Sequence, residues 1–186
     1  MSVNFVKKIV SIILIVLLIS CGGGEATINK SMPKLSGEKA YSKTSNLYVN
    51  LPADWFVAED NECNCIDLWL VKNDYSASIS FKKINFNNPG DFENESNEVE
   101  EITKYSKAFV SAELEIQFQN LNDEKTFQLN EKIFSAYRYK NQDEYFVRTV
   151  VFKHHGKYFE CEAVSQNGDT AENLYNLQNT VLSSLN

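Results

Sequence analysis

Tyr145-Phe146-Val147-Arg148-Thr149-Val150-Val151-Phe152-Lys153, then His154-His155-Gly156-Lys157, then Tyr158-Phe159-Glu160-Cys161-Glu162-Ala163-Val164-Ser165 is the stretch whose reading decides the fold. Both flanking runs are rich in β-branched and aromatic residues, which marks two strands. Taking His155-Gly156 as a two-residue hairpin turn sets their register. Phe152 then faces Phe159, Val150 faces Cys161 and Arg148 faces Ala163. That face is largely apolar. The other carries Glu160 and Glu162 and reads as the wetter side of an antiparallel sheet.

Outward from this hairpin, Asn167-Gly168-Asp169 ends the second strand, and Asp169 with Glu172 forms an acidic variant of a capping box. Leu174, Leu177, Val181, Leu182 and Leu185 follow at helical spacing, so a C-terminal helix should pack on the sheet. Upstream, Thr126 to Leu129 and Ile133 to Tyr139 are strand candidates, with Asn141-Gln142-Asp143 as a turn. Pro89-Gly90-Asp91 precedes a long helix with Phe92, Val99, Ile102, Tyr105, Phe109 and Val110 on one face. Asp91 can cap it, while Glu93 and Glu95 suit the helix dipole. Further back, Asn46 to Leu51, Ile66 to Val71 and Ser76 to Ile84 have strand character, the last two joined at Asn73-Asp74. The fold class is α+β, a mainly antiparallel sheet packed by a long middle helix and a C-terminal helix.

Residues 31–45 are polar, with no period of 2 or 3.6, and read as linker. The expected organisation is a signal segment over 1–20, a tether over 21–44 and one domain over 45–186. No 20-to-50-residue repeat is present.

The order strand, Leu-Pro-x-x-Trp turn, strands, long helix, antiparallel strands and terminal helix resembles the Mog1/PsbP-like fold. The residues that carry the likeness are Val49-Asn50-Leu51-Pro52-Ala53-Asp54-Trp55, His155-Gly156-Lys157-Tyr158-Phe159 and Val181-Leu182-Ser183-Ser184-Leu185. It spans about residues 45 to 186 and implies action by binding rather than catalysis. It transfers no site residue.

At the other end, Lys7 and Lys8 precede the apolar run Ile9 to Ile19, and Leu18-Ile19-Ser20-Cys21 resembles a bacterial lipobox. At about 1.5 Å per residue the run reaches about 16 Å, too short for a hydrocarbon core of about 30 Å. The resemblance implies cleavage before Cys21 and acylation of that residue. Two or three chains, at about 0.8 kcal/mol per buried methylene, hold such a protein on a bilayer. Gly22 after the cysteine resembles the pattern sorted to the outer membrane, and with Glu25 the only nearby acid the periplasmic face is the expected location. Inner-membrane and cell-surface placements stay open.

Of 18 basic residues, Lys7 and Lys8 leave with the signal, so 16 face 25 acidic ones, a formal charge of −9. Such a chain repels phosphate backbones, which excludes nucleic acid as a partner. Cys63, Cys65 and Cys161 remain, an odd number with three pairings, and Cys63 and Cys65 are close enough to bridge within a turn.

Catalytic constellations are poor. A thiol nucleophile would need Cys161 near His154 or His155. Cys63, Cys65, His154 and His155 carry zinc- or copper-type ligands, but Cys-x-Cys is not the usual zinc spacing. Asp60, Asn61, Glu62, Asn64 and Asp67 lack the glycine and closing glutamate of a calcium loop. Asp91, Glu93, Glu95, Glu98, Glu100 and Glu101 read as the wet side of the long helix rather than a carboxylate pair for glycoside hydrolysis. No cofactor is expected. The reading is an anchored, non-catalytic binding or accessory module for an envelope protein or small molecule. The alternative is a metal-binding protein or a hydrolase of the cell envelope.

Overall fold

The computed structural model describes residues 33–59, 65–86 and 92–186. Their elements are β1 (Leu35–Tyr41), β2 (Tyr48–Pro52), β3 (Trp55–Val57), β4 (Leu68–Lys72), β5 (Ala77–Ile84), α1 (Glu95–Leu114), a 3-10 turn (Glu115–Gln117), β6 (Gln119–Leu129), β7 (Lys132–Lys140), β8 (Phe146–His154), β9 (Lys157–Ser165) and α2 (Gly168–Ser183). Seven strands make one antiparallel sheet in the order β3-β4-β5-β9-β8-β7-β6, and β1 pairs with β2 apart from it. The α+β architecture is the one the sequence implies. Pro33–Asn186 is one compact unit.

The β8–β9 hairpin has the register read from its sequence, with Phe152 opposite Phe159, Val150 opposite Cys161 and Arg148 opposite Ala163. His155 and Gly156 both take positive φ, 48° and 73°, as a primed two-residue turn requires. Strand alternation then sends Phe81, Phe134, Val150, Phe152, Phe159 and Cys161 to one face, where Leu174, Val181 and Leu182 of α2 and Leu47, Val49 and Leu51 of the β1–β2 unit close the main core. Each such side chain, fully buried, contributes about 1.5–3 kcal/mol. Gly168 opens α2 against Phe146, and a Cβ there would lie 2.6 Å from that ring, so close approach demands glycine.

Several local expectations need correction. Leu35–Tyr41, read as tether, is a strand, so the tether cannot run to residue 44. Only Ala40 in it points inward, so it shows no hydrophobic period. The long helix starts at Glu95, capped by Asn94, whose side chain accepts from Asn97 N–H at 3.0 Å; Asp91 lies outside the described residues. Its buried stripe is Val99, Ile102, Thr103 and Ser106, whereas Tyr105 and Phe109 are 45% and 62% exposed. Asn167, not Asp169, caps α2, accepting from Asp169 N–H at 2.9 Å. Glu172 instead pairs with Arg138. The Glu160 and Glu162 face is not the wet side, because α1 roofs it through Ile102, Val110 and Leu114 packed over Val151, Tyr158, Tyr137 and Tyr139.

Arg148 lies on the apolar face, is 2% exposed and is enclosed by polar partners. Its guanidinium donates to Glu124 at 2.7, 3.0 and 3.1 Å, and to the side chains of Gln178 and Asn179 at 2.8 Å each. Arg138 also donates to Glu124 and lies 4.7 Å from the Tyr175 ring. Gln178, fully buried, donates to the carbonyls of Cys161 and Arg148 at 2.8 and 3.2 Å. Removing one partner of such a pair strands a buried charge, at about 3–5 kcal/mol. Glu124→Leu alone is therefore expected to lower stability by about that amount, and adding Arg148→Met should recover much of it. Urea titration of the wild type, both single variants and the double variant measures the coupling; additive losses would contradict it.

Candidate functional site

The face under α1 holds a cleft floored by carboxylates. β9 projects Glu160 and Glu162 toward α1, and the sheet register sets Lys82 of β5 opposite Glu160 and Thr149 of β8 opposite Glu162. Tyr139 donates to Glu162 at 3.2 Å, and the hydroxyls of Ser106 and Tyr137 lie 2.9 Å apart beside them. Of these groups Lys82, Ser106, Tyr139, Glu160 and Glu162 border a cleft of about 520 Å³, whose mouth is formed by Tyr105, Phe109 and Glu113 of α1 and by Lys83 and Asn85 at the end of β5. That volume falls within the range of small-ligand pockets, about 300–1,000 Å³.

Burial raises the Glu160 carboxyl above the usual carboxylate range, the charges of Glu162 and Glu113 add to this, and Ser106 and Lys82 oppose it. Tyr137 and Tyr139 are raised as well, chiefly by burial. The cleft can thus take up positive charge at an acidic floor with aromatic rings at its entrance. In sequence, the Glu160-x-Glu162 pattern was visible but indistinguishable from a solvated strand face. Tertiary packing of α1 made the difference.

The sequence candidates for catalysis do not come together. Cys161 is wholly buried and free, its thiol pushed up to about 12 by burial. His154 pairs with Lys157, four residues from Cys161 on β9, or about 13 Å along a strand. Cys65 is disulfide-bonded and precedes β4, three strand spacings or about 14 Å from β8, so it brings no thiolate to His154. Cys21 and Cys63 lie outside the described residues. Of the calcium-type group, Asp67 accepts from Thr44 and from the Lys83 N–H, each at 2.8 Å, and Asp60, Asn61, Glu62 and Asn64 are outside the described residues. Among the described residues no cluster of three or more His, Cys, Asp or Glu is disposed to hold a metal ion.

Of the helix carboxylates, Glu100 and Glu101 pair with Lys104 on the surface. Glu98 departs from the wet-side reading, since Lys153 holds both its oxygens at 2.8 Å and Tyr158 donates to one. Burial works to raise its carboxyl, but these hydrogen bonds and the Lys153 charge bring it below the ordinary range.

No family model matches the chain, and no curated protein does either. The solution structure of cyanobacterial PsbP (CyanoP) from Synechocystis sp. PCC 6803 is similar, with a TM-score of 0.58 and 13% identity over 90% of this chain and 96% of that one. The fold is PsbP-like. The crystal structure of LpqN, involved in cell envelope biogenesis of Mycobacterium tuberculosis, aligns at a TM-score of 0.44 with 15% identity over 82% of this chain and 87% of that one. Among the described residues no helix is long and apolar enough to cross a membrane.

His154 offers a check on this packing. It is 6% exposed, its Nε2 has no hydrogen-bond partner among the described residues, and burial, with the charges of His155 and Lys132, lowers it to about 4 from 6.5. The unfolded chain takes up that proton near pH 6.5 and the folded chain only near 4, so stability present above 6.5 is lost as pH falls through this window. The urea midpoint of His154→Leu is expected to fall less between pH 7 and pH 5 than that of the wild type. Equal falls would refute the assignment.

Proposed function

We propose that the chain is an extracytoplasmic lipoprotein, anchored through acylated Cys21, whose PsbP-like body is a non-catalytic binding or accessory module working through the α1–β9 cleft. The carrying observation is the cleft itself: Glu160 and Glu162 line it from the sheet and Glu113, with exposed Tyr105 and Phe109, lines it from α1, a recognition surface rather than a nucleophile with its base. The separation of Cys161 from His154 and the disulfide at Cys65 weigh against the hydrolase and metal readings. The lipobox residues support the anchor, and Gly22 supports the periplasmic face of the outer membrane. About twelve residues separate Cys21 from the first described residue, a reach of up to about 40 Å when extended, so the body need not touch lipid.

Metabolic labelling with a fatty-acid analogue should mark the wild type and not Cys21→Ser, and the mature mass should begin at Cys21. A chain that keeps Met1 and no lipid under native expression would overturn the anchor. Cross-linking and mass spectrometry on intact cells should recover a reproducible envelope partner lost when Glu160 and Glu162 are changed together to Gln. A bridge between Cys63 and Cys65 belongs to the same reading, because Cys161 is free and Cys65 is bonded. Denatured, unreduced mature protein should therefore show one reactive thiol. Three would refute the bridge.

A further inference from the structure

We propose that the cleft takes a short cationic amphipathic segment of a protein, with a lysine or arginine entering between Glu162 and Glu113 and its apolar neighbours lying on Tyr105 and Phe109. This rests on the reading of the cleft as the binding surface and names what that surface recognises.

The charge inside the cleft is out of balance. Lys82 faces Glu160 across the β5–β9 pairing and opposes its shift. Glu162 receives only the neutral hydroxyl of Tyr139, and neither Glu162 nor Glu113 has a salt bridge among the described residues. Lys83 borders the same cleft at its mouth, so Lys82 and Lys83 stand against Glu113, Glu160 and Glu162, and one negative charge is left over. The opposite face of the same sheet shows how this chain treats buried charge when the matter is structural: Glu124 lies against two guanidiniums. The charges of Glu162 and Glu113 raise the cost of ionising Glu160, and an entering cation relieves it. Such a local imbalance is characteristic of functional sites.

The apolar half is exposed as well. Tyr105 and Phe109 stand one helical turn apart on α1, at 45% and 62% exposure, and Phe86 packs on Tyr105 with ring centroids 5.0 Å apart, so the rings form a shelf beside the acidic floor. A metal ion would leave that shelf uncovered. A segment carrying both a cation and apolar side chains covers both halves, and main-chain flexibility lets it follow a cleft of about 520 Å³.

The test uses the mature acylated protein in zwitterionic-lipid nanodiscs and a fluorescent hexapeptide of alternating lysine and leucine, followed by anisotropy at physiological salt. Saturable binding is expected, weakened about tenfold or more by Glu162→Gln and by Phe109→Ser. It should be unchanged in the double variant Glu38→Gln/Glu131→Gln, which removes as much or more charge elsewhere. The corresponding glutamate–leucine peptide should not bind. Matching urea midpoints identify variants that keep the fold. Three results would overturn the proposal: no binding by the wild type, equal weakening by the remote double variant, or full competition by spermidine with Phe109→Ser unaffected. If the peptide fails while fatty-acid labelling at Cys21 and partner capture succeed, the inference falls and the anchored module stands. If capture fails as well, the binding reading falls with it.

Discussion

A guanidinium held inside an apolar core constrains the rest of this molecule. Arg148 occupies an inward position on a central strand, and at 2% exposure its charge is tolerable only because Glu124, Gln178 and Asn179 surround it. These partners come from β6, an edge strand, and from α2, so one charge ties the sheet edge, its middle and the terminal helix to a single arrangement. A sliding register or a rotated helix would strand the charge. Gln178 extends the constraint by bonding the backbone of both β8 and β9. The network thus specifies one packing, whatever its net contribution to stability.

The two faces of the sheet are asymmetric in a way that suits a division of labour. Under α2 and the β1–β2 unit, aromatic and aliphatic side chains fill the space and the enclosed charges are paired. Under α1, the apolar contacts fall into two small groups, around Ile102 and around Tyr137 and Tyr139, and the cleft with Glu160 and Glu162 borders them. α1 is fastened near its start by Glu98 with Lys153 and Tyr158, and by Ser106 to Tyr137 further along. In the proposed reading the closely packed face carries the fold and the cleft face carries the binding surface.

Much of the sheet was legible because its signals are local. Primed-turn chemistry at His155-Gly156 and the alternation of Val150, Phe152, Phe159 and Cys161 determine the hairpin without reference to anything distant. Leu174, Val181 and Leu182 announce α2 in the same manner. The errors fall where local signals are silent or compete. Leu35–Tyr41 buries only Ala40, so nothing periodic marks it as a strand. Asn94 and Asn167 outcompeted nearby aspartates as caps because capping is decided by which residue leaves helical geometry, and several polar candidates stood side by side. Arg148 falls on the apolar face in the hairpin register, but its partner Glu124 is 24 residues away in sequence, beyond the reach of any local signal.

By itself, then, the sequence determined an α+β class, the register of the central hairpin, an acidic composition and the lipobox-like residues around Cys21. All of these follow from neighbouring residues or from composition. Only the tertiary structure decided that Glu160 and Glu162 lie beneath a helix instead of in water, that Glu124 meets Arg148, and that Cys161 is sealed away from His154. Those outcomes depend on which elements pack against which faces, and burial, not residue identity, sets the chemistry of a carboxyl, a thiol or an imidazole.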